Sequence, residues 1–186
     1  MPQLDALQKE LKREQYKRRF RRLLRSTVNA LIVVAALAAL VATLILPVLQ
    51  IAGTSMEPSL NEGDIVLLVK DKKMKTGDLC AFYYSNKILI KRVIATPGDY
   101  IWIESDGTVV LNGQKLDEPY ISEKALGECD VEFPYQVPEN NYFVMGDHRE
   151  TSIDSRSSVI GCISQDQFLG KIFCKIWPLS EFDWIG

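Results

Sequence analysis

The first strong pattern along the chain is a 19-residue apolar run over residues 28–46, interrupted only by Asn29, alanines and Thr43. No charged residue occurs between residues 26 and 56. As an α-helix the run would be about 29 Å long, close to the hydrocarbon thickness of a bilayer. It therefore predicts a membrane-spanning helix. A basic helix over residues 9–25 should lead into it, and Pro47 should end or kink it.

After this run the pattern changes to short apolar segments rich in Val, Ile, Tyr and Phe, which is typical of β-strands. They lie at residues 65–69, 79–84, 88–94, 100–104, 108–111, 142–145 and 171–176. Asp106-Gly107 and Asn112-Gly113 are hairpin signals and predict a meander over residues 101–116. The expected fold class is mainly β: a single N-terminal transmembrane α-helix followed by one β-rich domain of about 135 residues.

Residues 114–141 have the weakest secondary-structure pattern in the chain. They contain three prolines and one glycine among scattered acidic residues, with no strand or helix period. A functional loop and an extended surface excursion are both compatible with this composition, and the surface excursion is the favoured interpretation.

Charge divides the chain as unevenly as hydropathy does. Residues 1–25 carry nine Lys and Arg against three acids, whereas the remainder carries 13 against 21. Because the basic flank of a membrane helix stays in the cytoplasm, we expect a single-pass protein of the plasma membrane with its N-terminus inside. The expected segments are a cytoplasmic basic segment at 1–25, a transmembrane helix at 26–49 and an extracytoplasmic domain at 50–186.

Two other interpretations of the N-terminal region explain its pattern less well. A basic run can be a solvated or nucleic-acid-binding arm, but directly before an apolar 19-mer it is better explained as a topology signal, with no nucleic-acid partner. A cleavable secretory signal shares the basic start, and the alanines at positions 35, 36, 38 and 39 resemble a cleavage site. The apolar run is longer than the usual core of such a signal, which favours a retained anchor.

The cysteines and the single histidine restrict the chemistry. Cys80, Cys129, Cys162 and Cys174 all fall in the part expected outside the membrane, where disulfides are permitted. Their spacing matches neither a zinc site nor a C-x-x-C redox pair, and it does not choose among three complete pairings or none. One histidine, His148, argues against a metal site that needs several imidazoles.

Two other residues are better candidates for catalysis. Ser55 lies shortly after the apolar run, in a segment where Gly53 and Pro58 favour turn geometry. Lys91 lies inside the apolar strand predicted at 88–94, where loss of hydration disfavours the charged amine. A lysine made neutral in this way could accept a serine proton. Taken alone, however, each residue also fits an ordinary role, as a loop serine or a lysine that extends to solvent.

Four motifs occur in order along residues 49–156, and together with the anchor they extend over nearly the whole chain. They are Ser55-Met56-x-Pro58; Gly63-Asp64-Ile65-Val66; Lys91-Arg92-Val93 followed by Pro97-Gly98-Asp99; and Gly146-Asp147-x-Arg149 with Ser152-x-Asp154-Ser155-Arg156. With these motifs the sequence resembles the bacterial type I signal peptidases, or leader peptidases. One motif would be weak support, whereas four in order behind an anchor are specific.

The resemblance implies a serine endopeptidase with a Ser-Lys dyad. Ser55 would attack the carbonyl after the last signal-peptide residue and form an acyl-enzyme, and Lys91 would act as general base. Ser152 matches the serine that helps to orient the lysine amine. Asp154 and Arg156 would form a supporting ion pair.

The same resemblance gives expectations for the neighbouring positions. Gly146 would allow close backbone packing beside the lysine. Asp147 could pair with Arg92. The backbone N–H of Ser55 would stabilise the oxyanion, but Gly53 stands where some relatives carry a side-chain donor, so the second donor is left open. His148 replaces an asparagine found in many relatives and is interpreted as a loop variant.

The expected substrate is a signal peptide bound as an extended strand and cut after a small-x-small sequence. Candidate residues for its shallow apolar pockets, which could equally be ordinary core, are Leu49, Ile51, Met56, Leu60, Val66 and Ile90. Strand alternation places Ile90 opposite Lys91, so a pocket role for Ile90 needs strand twist or a contact near the backbone. No cofactor or metal is implied. The expected partners are preproteins, the lipid bilayer and the secretion machinery, and the oligomeric state is left open.

Two other functional classes share this architecture. A sortase-like transpeptidase also has an N-terminal anchor and an external β domain, but it uses a cysteine with a histidine and an arginine, and its cysteine-bearing strand motif is missing here. A tethered peptide-binding domain would need no proximity between Ser55 and Lys91. Near the C-terminus, Phe182 and Trp184 are candidates for contact with the membrane interface.

Overall fold

The computed structural model describes residues Pro2–Ile185 and contains two compact units, which divide between Ile45 and Leu46. The first unit is the helix α1, Pro2–Ile45. Within it, residues Tyr16–Leu40 have a mean hydropathy of 2.0 and are long and apolar enough to cross a membrane. The second unit is built almost wholly of β-strands. The predicted fold class, one N-terminal apolar helix followed by a mainly β domain, is confirmed.

The end of α1 corrects one predicted boundary. The helix was expected to continue to Leu49, but it ends at Ile45, and residues Val48–Gln50 form a strand. The residue before a proline is pushed out of the helical region, and Pro47 itself has no N–H to continue the hydrogen-bond pattern. The chain therefore leaves the helix early enough for Leu49 to pair with Val66 in the sheet.

The larger sheet has eight strands, and the pairs that join them are antiparallel. Its path runs β1, β2, β11, β3, β4, β9 and β10, with β12 added to β11. The strands are β1 Val48–Gln50, β2 Ile65–Val69, β3 Leu79–Tyr84, β4 Lys87–Ala95, β9 Asn141–Met145, β10 Ile163–Ser164, β11 Phe168–Trp177 and β12 Asp183–Trp184.

The smaller sheet has four antiparallel strands in the order β7, β6, β5, β8. They are β5 Tyr100–Ile103, β6 Val109–Leu111, β7 Gln114–Lys115 and β8 Tyr135–Gln136. Asn112 and Gly113 connect β6 to β7 with φ angles of 52° and 82°, the two positive values that a tight hairpin turn requires. The predicted meander over residues 101–116 is thus confirmed.

Three buried apolar clusters fill the second unit. The first cluster contains Met56, Leu60 and Val66 and lies against β11 and β3. The second packs around Phe82 and Val93, and the third joins the two sheets through Ile94, Ile101 and Phe143. Strand β4 contributes to the second and third clusters directly and to the first through Ile90, so its position is fixed from several sides.

The elements that were not predicted are short. Strands β1, β8, β10 and β12 have two or three residues each, and two 3₁₀ helices occupy Gln165–Gln167 and Leu179–Glu181. All are too short to produce a period, and strands of this length form where a neighbouring strand offers a pairing edge. Between β7 and β8, residues 116–134 have no regular secondary structure.

Candidate active site

Strand β4 pairs with β3 over its first two-thirds but with β9 only in its second half. Residues 87–92 pair with β3, whereas pairing with β9 begins at Arg92. Among the described residues, the first half of β4 therefore has one edge without a strand partner. Lys91 lies next to the point where β9 begins to cover this edge, and only 4% of the surface of Lys91 is exposed.

Ser55 is brought to Lys91 by the turn that follows β1. The Glu57 N–H donates to the Thr54 carbonyl and the Leu60 N–H to the Met56 carbonyl, which closes the chain into consecutive turns. Met56, 2% exposed, anchors these turns in the first apolar cluster. The result is a distance of 2.7 Å between Lys91 Nζ and Ser55 Oγ.

The surroundings of Lys91 favour its neutral form. Burial lowers the pKa of its amine below the ordinary value, and the nearby guanidinium of Arg156 acts in the same direction. The carboxylates of Asp154 and Asp147 oppose this shift but do not overcome the effect of burial. A lysine amine without its proton, at this distance from a hydroxyl, is chemically able to act as a general base.

Asp154 organises the polar groups on the far side of the pair. Its Oδ2 accepts hydrogen bonds from the Ser152 hydroxyl at 2.7 Å and from the Gly146 N–H at 2.9 Å. Arg156 donates to both carboxylate oxygens, from Nε at 2.9 Å and from Nη2 at 2.8 Å. The expected Asp154–Arg156 ion pair is present, and neither side chain is exposed.

Ser152 is placed somewhat differently from the role that the resemblance implies. Among the described residues, the Ser152 hydroxyl donates to Asp154, and the hydrogen-bond partner of Lys91 Nζ is Ser55. An influence of Ser152 on the lysine would therefore act through packing and through Asp154, and its orienting role stays a prediction.

Gly146 lies where no side chain fits. A Cβ atom at this position would overlap the Ser152 Oγ and would lie 2.5 Å from the Ser55 carbonyl oxygen. The N–H of His148, two residues further along the chain, donates a hydrogen bond to the same Ser55 carbonyl at 3.1 Å. The loop after β9 thus holds the backbone of Ser55. Because the contact uses the main chain of His148, it does not depend on which side chain that position carries.

A second ion pair fixes the same loop to β4. Arg92 donates to Asp147 from Nε at 2.8 Å and from Nη2 at 2.6 Å, so the expected pair is present and is bidentate. Arg92 also donates to the Gly77 carbonyl and to the Ser59 hydroxyl. The residue next to Lys91 in the strand therefore joins the serine-bearing turns to the loop that carries Gly146.

A cleft of about 120 Å³ opens beside the Ser55–Lys91 pair, between β1 and the first half of β4. It is lined by Leu49, Gln50, Ile51, Ala52, Gly53, Ser55, Met56, Ile88, Leu89, Ile90 and Lys91. Four of the six predicted pocket residues, Leu49, Ile51, Met56 and Ile90, are in this set. Leu60 and Val66 are not, because both are fully buried in the first apolar cluster behind it.

Ile90 and Lys91 line one cleft although they point to opposite faces of β4. Their cross-strand partners are Ala81 and Cys80, which belong to the first and second apolar clusters respectively. The cleft runs along the strand edge, where residues of both faces are accessible. Ile90 can therefore line the cleft through a contact near the backbone of β4, although its side chain alternates with that of Lys91.

The four cysteines are all unpaired. Burial raises the pKa of the Cys80, Cys162 and Cys174 thiols, which disfavours the thiolate needed for nucleophilic attack. Cys80 has a structural contact instead, because its Sγ donates to the Lys91 carbonyl at 3.3 Å. This contact lies on the main chain of the proposed base and was not predicted.

Sequence reasoning also missed Glu118 and Tyr120. Both lie in the stretch 114–141, where the sequence predicted no element. Glu118 is nevertheless only 8% exposed and pairs with Arg149, and the ring of Tyr120 lies against Arg92. In the sequence these residues are one acid and one aromatic among several. The one signal in the sequence was Arg149, a motif arginine for which no partner was expected and which would need one if buried.

A serine hydroxyl lies beside a buried lysine amine at the edge of an antiparallel sheet, and these are groups suited to nucleophilic catalysis. The sequence model of the family described as signal peptidase, peptidase S26, matches residues 24–177. The chain belongs to this signal peptidase family and is a peptidase, and hence a hydrolase.

Two bacterial signal peptidases of similar sequence support this assignment. Signal peptidase I of Bacillus licheniformis is 34% identical over 167 residues, which cover 83% of this chain and 89% of that protein. Signal peptidase IB of Staphylococcus aureus is 36% identical over 152 residues, 71% of this chain and 78% of that protein. A crystal structure of a signal peptidase I from Enterococcus faecalis V583 is 29% identical, with a TM-score of 0.44 over 53% of this chain and 96% of that one. The family and the apolar helix together fit a membrane-anchored enzyme.

Replacement of Lys91 by methionine should change how stability depends on pH. Burial lowers the pKa of Lys91 in the folded chain below its ordinary value of 10.5. Between the two values the unfolded chain binds more protons, so this group makes the unfolding free energy of the parent rise with pH. Lys91→Met lacks that term. We expect its stability advantage over the parent to be largest at low pH and to shrink as pH approaches 10.5.

Denaturant unfolding of the full chain in detergent micelles at a series of pH values measures this difference. Lys87→Met is the matched control, since Lys87 is an exposed lysine at the start of the same strand. If the difference in unfolding free energy between Lys91→Met and the parent stays constant from neutral pH to pH 10, the fold does not hold the amine in a neutral state.

Proposed function

We propose that this chain is a membrane-anchored serine endopeptidase that removes N-terminal signal peptides from secreted preproteins by means of a Ser55–Lys91 dyad. The observation that carries the proposal is the 2.7 Å distance between the Ser55 hydroxyl and a lysine amine that is almost fully buried. Membership of the signal peptidase family supplies the reaction class. The similar signal peptidases of Bacillus and Staphylococcus support the substrate class.

In the proposed reaction, neutral Lys91 takes the hydroxyl proton of Ser55 while Oγ attacks the carbonyl carbon of the scissile peptide bond. The tetrahedral intermediate collapses as Lys91 Nζ returns the proton to the leaving amine. The C–N bond breaks and an acyl-enzyme ester remains on Ser55. Lys91 then takes a proton from a water molecule whose oxygen attacks the ester carbon. The C–Oγ bond breaks, Lys91 Nζ returns its proton to Oγ, and the signal peptide leaves with a new carboxyl terminus.

The backbone N–H of Ser55 is the proposed donor to the oxyanion, because it belongs to the attacking residue and lies at the cleft. Gly53, which also lines the cleft, has a φ of 84° and no side chain to donate. The His148 N–H and the Gly146 contact support the Ser55 backbone from behind, which keeps its amide in a fixed direction. Such preorganisation matters because the charge on the oxygen develops only in the transition state.

The substrate is proposed to add as an extended strand between β1 and the first half of β4. Within the described chain, β1 is at the end of the sheet path and residues 87–91 pair only with β3, so both strands offer free backbone groups toward the cleft. The small volume of the cleft and its apolar residues Leu49, Ile51 and Ile90 favour small side chains. This agrees with cleavage after a small-x-small sequence.

We further propose the orientation and segments that the charge pattern indicates. The basic segment 1–25 would lie in the cytoplasm, the apolar helix would cross the plasma membrane, and the β-rich peptidase domain that follows would lie outside. Preproteins emerging from the secretion machinery would then meet the site on the outer side. The exposed rings of Phe182 and Trp184 stay candidates for contact with the outer membrane interface.

Incubation of the purified full chain with a preprotein, followed by sequencing of the new N-terminus, tests the activity. We expect a cut after a small-x-small sequence, and a fall in kcat of roughly 10,000-fold in Ser55→Ala and in Lys91→Met, since each removes an essential member of the dyad. Lys73→Met and Ser122→Ala, changes at exposed positions away from the proposed site, should keep parental rates.

Two other outcomes separate the alternatives. Activity that survives Ser55→Ala and is lost when one of the four cysteines is replaced by alanine would identify a thiol enzyme. Tight binding of the preprotein without any cleavage, by a chain with an intact Ser55 and Lys91, would identify a binding domain.

The rate of cleavage should rise with pH along an acid limb that reports the proton on Lys91. Because burial lowers the pKa of this amine, the midpoint of the limb in kcat/KM should lie below 10.5, the ordinary value for lysine. The measurement is the initial rate on a fluorogenic peptide between pH 5 and pH 10. A kcat/KM that is flat over this range, in conditions where chemistry limits the rate, would remove the lysine from the mechanism.

Labelling with a membrane-impermeant maleimide tests the orientation. In intact cells the reagent should modify Glu123→Cys, a change at an exposed position of the β-rich unit, and should modify Arg19→Cys only after lysis. The parent chain measures background labelling of the native cysteines. The reverse pattern would place the β-rich unit in the cytoplasm and contradict the proposed topology.

A further inference from the structure

The stretch between β7 and β8 contributes two side chains to the polar network behind the active site. We call residues 117–131 the strap. Its backbone is held against the loops that follow β9: Arg156 donates to the carbonyls of Ala125 and Leu126, and the Arg156 carbonyl accepts from the N–H groups of Asp130 and Val131. The irregular stretch is therefore a bound element of the site region.

Gly127 shows how closely the strap approaches. It has a φ of 61°, and a Cβ atom there would lie 2.5 Å from the Arg149 carbonyl oxygen and 2.7 Å from Arg156 Nη1. A side chain at this position would push the strap away from both arginines. This close contact fixes the position of the strap, and with it the positions from which Glu118 and Tyr120 reach the arginines.

Glu118 acts on Gly146 through Arg149. The two carboxylate oxygens of Glu118 accept from Arg149, Oε2 from Nη1 at 3.1 Å and Oε1 from Nη2, and both side chains are almost fully buried. The remaining Nε of Arg149 donates to the Gly146 carbonyl at 3.1 Å. Since Asp154 holds the Gly146 N–H, this glycine is fixed at both of its backbone polar groups.

Tyr120 acts on the neighbouring pair. Arg92 Cζ lies 3.9 Å from the centre of the Tyr120 ring, so the guanidinium contacts this ring and also pairs through its edge with the carboxylate of Asp147. The Tyr120 hydroxyl donates to Glu118 Oε1 at 3.0 Å and so connects the two arginine pairs. Burial and the nearby carboxylate of Glu118 raise the pKa of Tyr120, which keeps this hydroxyl as a donor.

From these contacts we propose that Glu118 and Tyr120 are positioning residues of the peptidase, which hold Gly146 and Arg92 where they support Ser55 and Lys91. The inference rests on the proposed dyad. Glu118 fixes the loop that contacts the Ser55 carbonyl, and Tyr120 fixes the arginine next to Lys91 in β4. Neither residue lines the cleft, so their effect falls on the chemical step and not on substrate binding.

The test compares Glu118→Gln with the parent as full chains in detergent, using a fluorogenic peptide that contains one Ala-x-Ala cleavage site. Glutamine keeps the shape of the side chain but loses the charge that pairs with Arg149. We expect kcat to fall between about 10- and 100-fold, as small displacements of reacting groups do, with KM within about twofold. Glu118→Asp should recover part of the loss. Glu123→Gln removes an exposed acid from the same strap and should match the parent.

Tyr120→Phe is a milder second variant, because it keeps the ring over Arg92 and removes only the hydroxyl. We expect a smaller fall in kcat than in Glu118→Gln. Rates are expressed per folded molecule, with the folded fraction measured by circular dichroism. A kcat per folded molecule equal to that of the parent in both variants, or a rise in KM alone, overturns the proposal.

A double-mutant cycle with Arg149→Gln identifies the route. If Glu118 acts through Arg149, adding Glu118→Gln to Arg149→Gln should change kcat by less than about twofold. Independent, multiplying effects would overturn this route. Ser55→Ala and Lys91→Met are measured in the same assay. If they remain active, the dyad is wrong and the strap proposal falls with it. If they are inactive while Glu118→Gln keeps the parental kcat, only the strap proposal fails.

Discussion

The site depends on one contact, a lysine amine taken out of water and held against a serine hydroxyl. An amine with only 4% of its residue surface exposed loses much of the hydration that stabilises its charge, and the fold must provide that burial permanently. Strand β4 provides it, because the strand is fixed between β3 and β9 just where Lys91 emerges. The turns after β1 then bring Ser55 to 2.7 Å. Without the sheet, nothing would hold the Ser55 hydroxyl against the Lys91 amine.

The charges around this contact are arranged so that none is left alone. Removing one partner of a buried ion pair is strongly destabilising, by about 3–5 kcal/mol, because the other charge stays buried. Three buried arginines, Arg92, Arg149 and Arg156, each have a carboxylate partner. Their pairing holds the loop after β9 beside the serine, and within the described part of the chain no carboxylate lies at hydrogen-bond distance from the amine of Lys91. A lysine that formed such a pair would keep its proton and could not act as a base.

Much of the architecture could be predicted because its signals are local. The apolar run needs only its length and lack of charge, and strands such as β2 and β3 have the predicted bounds because β-branched and aromatic residues recur over five or six positions. The Asn112-Gly113 turn needs only two residues that tolerate positive φ. Strand β1 was missed because three residues carry no period and pair only where β2 is present. The helix end was misplaced for the same reason.

The sequence by itself determined the class of protein, the anchor, the β-rich domain and the residues of the ordered motifs, since each is encoded by residue type and spacing along the chain. Only the tertiary structure decided which groups touch. It placed Ile90 at the cleft and Leu60 behind it, and directed the Ser152 hydroxyl to Asp154. It also brought Glu118 to Arg149 across 31 positions. Such contacts depend on how sheets and loops pack in three dimensions, and no local preference of the chain records them.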